Sequence, residues 1–193
     1  MRFVFLAIAG LAIVALANPA KRACMTDDDA NRVANNFRTL ITDYSNATAA
    51  QVLCTDFTDY SDSVSELINN GCPNGPQALG SATFSSLAAF QAGQGSQPNI
   101  PFEILNIWHN CDTVTMRWRS ITPGTVQPEE QVVGIVVMET VYSGGEEPYL
   151  INTVYSEFNS GAWLYDLGVF VPSCNATAAT VKRNLLFKPR RMI

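Results

Sequence analysis

The 193-residue chain predicts an α+β fold, a strongly bent antiparallel sheet with its helices collected on one face. Two observations predict it. In the first half, apolar residues recur at intervals of three and four, broken once by a short alternating stretch. Beyond the turn-rich segment GQGSQPNIP (93–101) the period falls to two, the pattern of a strand meander.

Taken in order, Thr26 followed by Asp27, Asp28 and Asp29 is an N-cap with acid in the first turn, where the helix dipole favours negative charge. Ala30, Val33, Ala34, Phe37, Leu40 and Ile41 then form one apolar stripe, giving a helix of about fifteen residues that ends near Tyr44. The stretch LCTDFTDY (53–60) alternates and is rich in threonine and aromatics, so it reads as a short strand. Residues 61–70 read as a loop or a short helix, and NNGCPNGP (69–76) is turn chemistry throughout. From Ser81 to Ala92 a second helix is expected, packing Phe84, Leu87, Ala88 and Phe90. Four strand-like stretches follow at 102–111, 113–121, 131–143 and 149–171, the last divided at Asn159-Ser160-Gly161 into two strands.

The opening MRFVFLAIAGLAIVALA carries one positive charge at Arg2, then an unbroken apolar stretch ending in the small-x-small triplet Ala15-Leu16-Ala17. That pattern predicts a secretory signal peptide over 1–17, with Lys21-Arg22 a further processing site and a secreted or secretory-lumen product. No later segment reaches transmembrane length. A single domain is expected over 23–173, followed by a basic tail over 174–193.

Of the twelve Lys and Arg, three lie in the leader and five in the tail. The body keeps Arg32, Arg38, Arg117 and Arg119 against all seventeen acidic residues, a surface that repels phosphate and so excludes nucleic acid as its partner. Five cysteines in an oxidising compartment predict disulfides, although spacing does not choose the pairs. Without a CxxC and with one histidine, no usual zinc cluster is expected, and no cofactor is implied. Asn46 and Asn175 open sequons that mark surface as expected glycosylation sites.

The segments FTDYSDSV, ALGSATF, PFEILNIWHNCDTV and TVYSEFNSGAWLYDLGVF resemble secreted fungal members of the NTF2-like superfamily, the conical fold shared with ketosteroid isomerase. The resemblance implies an NTF2-like cone, with N-terminal helices packed on the concave face of the sheet and a ligand pocket between them. It further implies isomerase, dehydratase or cyclase chemistry on small apolar, polyketide-like molecules, using one acid/base and a few hydrogen-bond donors. In fungal secondary metabolism, similar proteins are associated with dimerising cyclisation of maleic anhydride monomers. The superfamily also holds members that only bind ligands or dimerise, here through the sheet.

In the resembled enzymes the base is often a carboxylate near the end of the first strand, which here reads TDFTDYSD (55–62). Alternation that turns Leu53, Thr55 and Phe57 inward takes Asp59 with them and leaves Asp56 and Tyr60 outside. An apolar surround disfavours the charged carboxylate and raises its pKa toward the range of a general base. A slip of one residue substitutes Tyr60 or Asp62, and a turn-capping aspartate is the plain alternative.

His109 shares a strand face with Glu103, Leu105 and Ile107, whereas Trp108 lies on the other with Phe102, Ile104 and Asn106. Neither face is cleanly apolar, so the direction of His109 stays open between a proton partner of Asp59 and a structural histidine. Arg117 and Arg119 lie together opposite Met116 and Trp118, as anion ligands or as cross-strand partners of Glu139 or Glu157. Tyr155 and Glu157 alternate together as a further donor and acid. Trp108, Trp118 and Trp163 suit core or pocket wall, and Cys111 suits a disulfide better than a nucleophile. Together these residues read as a base, Asp59 or His109, with Tyr155 or Arg117 holding the enolate. The competing reading is a non-catalytic binding or dimerising protein.

Overall fold

The computed structural model describes residues 24–70, 72, 75, 78–121 and 129–169. The expected signal peptide, the dibasic site, the basic tail, Cys174 and Asn175 lie outside the described residues. Among those described, the elements run α1 (Asp27–Thr42), α2 (Asn46–Val52), β1 (Leu53–Tyr60), α3 (Asp62–Ile68), α4 (Leu87–Gln94), β2 (Phe102–His109), β3 (Thr113–Ser120), β4 (Val133–Tyr142), β5 (Tyr149–Phe158) and α5 (Ser160–Asp166).

The strands lie in the order β1-β5-β4-β3-β2 in one open sheet, the sheet of an α+β cone. Strands β2 to β5 form the expected antiparallel meander, but β1 pairs with β5 in parallel, so the sheet is mixed. Alternation within a strand carries no information about the direction of its partner, which is why this pairing escapes a sequence reading.

Helix α1 begins at a full capping box: Thr26 Oγ1 accepts from Asp29 N at 3.2 Å, and the Asp29 carboxylate accepts from Thr26 N at 3.1 Å. Its predicted stripe of Ala30, Val33, Ala34, Phe37 and Leu40 is buried. Next, α2 appears where only a turn near Asn46 was expected, capped by Ser45, whose hydroxyl accepts from Thr48 N at 3.0 Å. Asn46 is exposed.

Two further expectations are corrected. Helix α4 starts at Leu87, not Ser81, because Phe84 forms an isolated bridge with Asp59 and Ser86 then caps the helix, accepting from Ala89 N at 3.1 Å. Ala88 accordingly stays exposed. The segment after Asn159 is the helix α5, not a strand: the Asn159 carboxamide accepts from Ala162 N at 3.1 Å and caps it. This turn carries Trp163 back onto the sheet, 5.3 Å from Phe158 and 6.3 Å from Trp118 between ring centroids.

The core fills the space between α1 and the inner sheet face, with Leu40, Phe57, Met116, Met138 and Ile151 fully enclosed. At one end of that face, Phe102, Trp118, Phe158 and Trp163 form a chain of rings. Burying such rings contributes roughly 2–3 kcal/mol each, but here they also leave one side open to a cavity.

Candidate functional site

Between α1, α3, α4 and the inner sheet face lies a cavity of about 390 Å³, within the range that holds a small organic ligand. Its wall is mostly apolar. Phe37 and Ile41 come from α1, Phe84 and Phe90 from the α4 region, and Trp118, Phe158 and Trp163 from the ring chain.

Asp59 faces this cavity from the end of β1 and is only 5% exposed. Its backbone is gripped on both flanks. On one side it lies in parallel register with Val154; on the other its N–H donates to Phe84 O at 2.9 Å and its carbonyl accepts from Thr83 N at 2.8 Å. The side chain is less well served, since Oδ1 is buried with no hydrogen-bond partner among the described residues. Burial, with a smaller push from the Glu157 carboxylate, raises the Asp59 pKa to about 7. Near neutrality the group therefore exists in both protonation states, as a general acid/base requires.

The neighbours settle which acid of TDFTDYSD turns inward. Tyr60 is outside, and the Asp62 carboxylate accepts from Gly80 N at 2.7 Å. Thr55 is exposed, contrary to simple alternation, because the β1–β5 register shifts between Leu53 and Thr58.

Besides Asp59, four polar residues that sequence reasoning passed over line the cavity: Gln94, Gln97, Asn99 and Ser156. Gln94, the last residue of α4, is 6% exposed and its Nε2 is buried without a partner among the described residues. A signal existed: Gln94 follows Phe90 by four residues and so shares its face, but the surrounding GQGSQ reads as loop. Ser156 also lines the cavity, on the β5 face opposite that of Tyr155 and Glu157.

The remaining candidates sit elsewhere. Tyr60, Tyr155, Val137, Thr115 and Trp108 are register partners in a row across all five strands on the outer face of the sheet. There Tyr155 stacks on Tyr60, ring centroids 5.4 Å apart, and Trp108 is 52% exposed. Arg117 is exposed on the same face, and Arg119 pairs with Glu103, its direct register partner, rather than with Glu139 or Glu157. Glu157 holds the start of α3, accepting from Asp62 N at 3.0 Å and Ser63 N at 3.1 Å and from the Ser63 hydroxyl. Outward placement of Tyr155, Glu157, Arg117 and Trp108 follows from the burial of Met116, Trp118, Val154 and Ser156 between them.

His109 does not meet Asp59. A register shift between Ile104 and Asn106 reverses the alternation of β2 partway, which is why neither face of the sequence looked apolar. His109 thereby turns toward α1 and lines a separate polar groove, with Nε2 2.8 Å from Asp27 Oδ1 and Nδ1 3.0 Å from Asn110 O. The Asp27 hydrogen bond, then that to Asn110, raises its pKa. Beside it the Cys24–Cys111 disulfide and the Met25 N to Cys111 O bond of 3.3 Å fasten the start of α1 to the end of β2. Among the described residues Cys54 and Cys72 have no disulfide partner, and burial, with Asp56 nearby, pushes the Cys54 thiol up. Among the described residues no group of His, Cys, Asp and Glu could hold a metal ion, and no helix is long and apolar enough to cross a membrane.

The sequence profile of the NTF2-like domain family matches residues 23–170. No curated protein matches the chain. Among solved structures, a Bacillus cereus protein provisionally assigned as a polyketide cyclase is similar at TM-score 0.51 and 16% identity, over 74% of this chain and 83% of that one. A Catenulispora acidiphila hypothetical protein of ketosteroid isomerase-like fold, in complex with trimethylamine, is similar at TM-score 0.50 and 11% identity, over 72% and 97%. At these identities the likeness is one of fold.

Proposed function

The chain belongs to the NTF2-like domain family, and on that premise we propose that it is a secreted cyclase or isomerase of secondary metabolism that removes a proton next to a carbonyl, with Asp59 as the base. The observation that carries this reading is the Asp59 carboxyl itself, enclosed in an apolar cavity with Oδ1 unpartnered and its pKa raised to about 7. The helix-capping Asp29 differs, since one of its oxygens accepts from both Thr26 N and the Thr26 hydroxyl, and the buried Asp166 differs in not lining this cavity and in accepting from Glu130 N at 2.7 Å.

In the dimerising version, the carboxylate takes a proton from the activated carbon of one cyclic anhydride monomer, and the electron pair passes into the carbonyl as an enolate. The enolate carbon forms a bond to the unsaturated carbon of a second monomer. The carboxylic acid then returns the proton to the new enolate, so the step is redox-neutral and regenerates the base. His109, Tyr155, Arg117 and Glu157 take no direct part, since none of them lines this cavity.

The test is exchange of the activated C–H of an alkyl maleic anhydride in D2O, followed by NMR, with appearance of dimer. Wild-type protein should catalyse exchange with a rate that rises as pH passes through about 7, and Asp59→Asn should abolish it. Exchange no faster than buffer, or undiminished in Asp59→Asn, would overturn the assignment.

A second reading is a non-catalytic protein that dimerises through the sheet. Its support is the outer sheet face, where Trp108, Ile135 and Tyr155 are 52%, 51% and 45% exposed. Sedimentation of the wild type against Trp108→Glu and Tyr155→Glu tests it: a dimer that the variants do not dissociate counts against this face.

A further inference from the structure

The Asp59 cavity is unevenly furnished. Among the described residues that line it, Asp59 is the one ionisable side chain, and none is a lysine or arginine. The four arginines of the described body are committed elsewhere: Arg32 reaches Glu146 O, Arg38 Nε donates to Phe102 O, and Arg117 and Arg119 lie on the outer sheet face. An anion entering this space would lose its water, gain no counter-charge, and meet the Asp59 carboxylate. A neutral molecule meets neither obstacle.

Opposed to this apolar wall is a donor with nothing to donate to. Gln94 Nε2 is buried in the cavity lining, more than nine-tenths of the residue is covered, and no described residue accepts from it. A buried unpaired amide is costly, and the cost is recovered when a bound molecule supplies an acceptor. The close packing of Gly93 against the Phe84 ring fixes the end of α4 that carries Gln94, and Phe84 is in turn bridged to Asp59. The donor and the carboxyl are therefore mounted on one connected frame.

We propose that the cavity selects a neutral, largely apolar molecule bearing a carbonyl, and that Gln94 Nε2 is the donor that receives the carbonyl oxygen while Asp59 faces the adjacent carbon. This rests on the reading of the cavity as the substrate site and narrows it: a maleic-type substrate enters as the closed, uncharged anhydride and not as its hydrolysed dicarboxylate. Gln94 takes the place that Tyr155 and Arg117 hold in the sequence reading, because those two point away from the cavity.

The experiment compares three probes of one shape, 2-acetylnaphthalene, 2-ethylnaphthalene and 2-naphthoate, by quenching of the cavity tryptophans Trp118 and Trp163. Wild-type protein should bind the ketone roughly tenfold more tightly than the hydrocarbon, and the carboxylate weakest of all. Gln94→Met keeps the length of the side chain and removes the donor. It should lower ketone affinity to that of the hydrocarbon and leave hydrocarbon affinity unchanged, a selective loss that a merely structural residue would not produce.

Carboxylate binding equal to ketone binding, or an undiminished ketone preference in Gln94→Met, overturns the proposal. So does a lack of binding by all three probes. The wild-type comparison needs no variant, so it decides the neutral-ligand claim even if Gln94→Met fails to fold. The expected ketone selectivity together with no C–H exchange would sink the Asp59 base assignment alone, which keeps the two claims separable.

Discussion

The indole of Trp118 rests on the bare backbone of Gly134, its register partner on β4: a Cβ at that glycine would stand 2.7 Å from two carbons of the ring and 2.8 Å from Phe158 Cβ. The cavity wall is therefore built on the absence of a side chain. Gly134→Ala should destabilise the protein by about 1–3 kcal/mol, because Phe158 Cβ moves only with its backbone and the rigid indole can yield only by tilting into the cavity. Urea unfolding measures this, and an unchanged midpoint would show that the ring chain shifts freely.

Asp59 should lower stability as pH rises. Its carboxyl titrates near 7 in the folded chain against 3.8 when unperturbed, so between these values the folded state holds a proton that the unfolded state has released. Stability is greatest below the lower value and falls, by on the order of 4 kcal/mol at most, as pH passes through the upper one. Asp59→Asn should flatten that slope and be more stable than wild type at alkaline pH while losing activity. Denaturation across the pH range would contradict this if both proteins lost stability in parallel.

The pair of His109 and Asp27 adds a separate contribution. Its folded pKa is raised above 6.5, so its stabilisation is fully present below that value and disappears as pH climbs through the raised one. The melting-temperature gap between wild type and His109→Gln should therefore be largest in mild acid and close at alkaline pH. Probe binding in the Asp59 cavity should be unaffected, since His109 lines the other groove.

Removing the disulfide should matter more. Cys24 and Cys111 close a loop across 87 residues, and Cys24→Ser should cost about 2–5 kcal/mol, read as a lower urea midpoint. A midpoint unchanged by Cys24→Ser, with the wild-type bond confirmed by mass, would show that the Met25 and His109 contacts suffice.

The long elements were legible because each repeats one physical signal. The α1 stripe and the alternation of β3 follow from periodicity alone, whereas in β1 only Phe57 and Asp59 keep the alternation that the exposed Thr55 breaks. What was not legible depended on partners. The bulge in β2 hid the direction of His109, the bridge between Asp59 and Phe84 cut short a plausible helix, and Asn159 announced a cap that read equally well as a turn. The choice of Tyr155 over Ser156 turned on which β5 face the helices cover, a fact that strand alternation cannot supply. Gln94 was missed because a lone polar residue next to glycines looks solvated until its helix is docked.

The parallel placement of β1 also orders assembly. Leu53 pairs with Ile151, whereas β2, β3 and β4 each find a partner in the next strand along the chain. Contacts between sequence neighbours close with less entropy loss, so the four-stranded meander should form ahead of the seam that admits β1. As synthesis proceeds from the N-terminus, α1 to α4 emerge before the surface that receives them, with Phe37, Phe57 and Phe90 meanwhile uncovered. The base and its cavity would then be completed in one late docking event, which ties the appearance of binding to the end of folding.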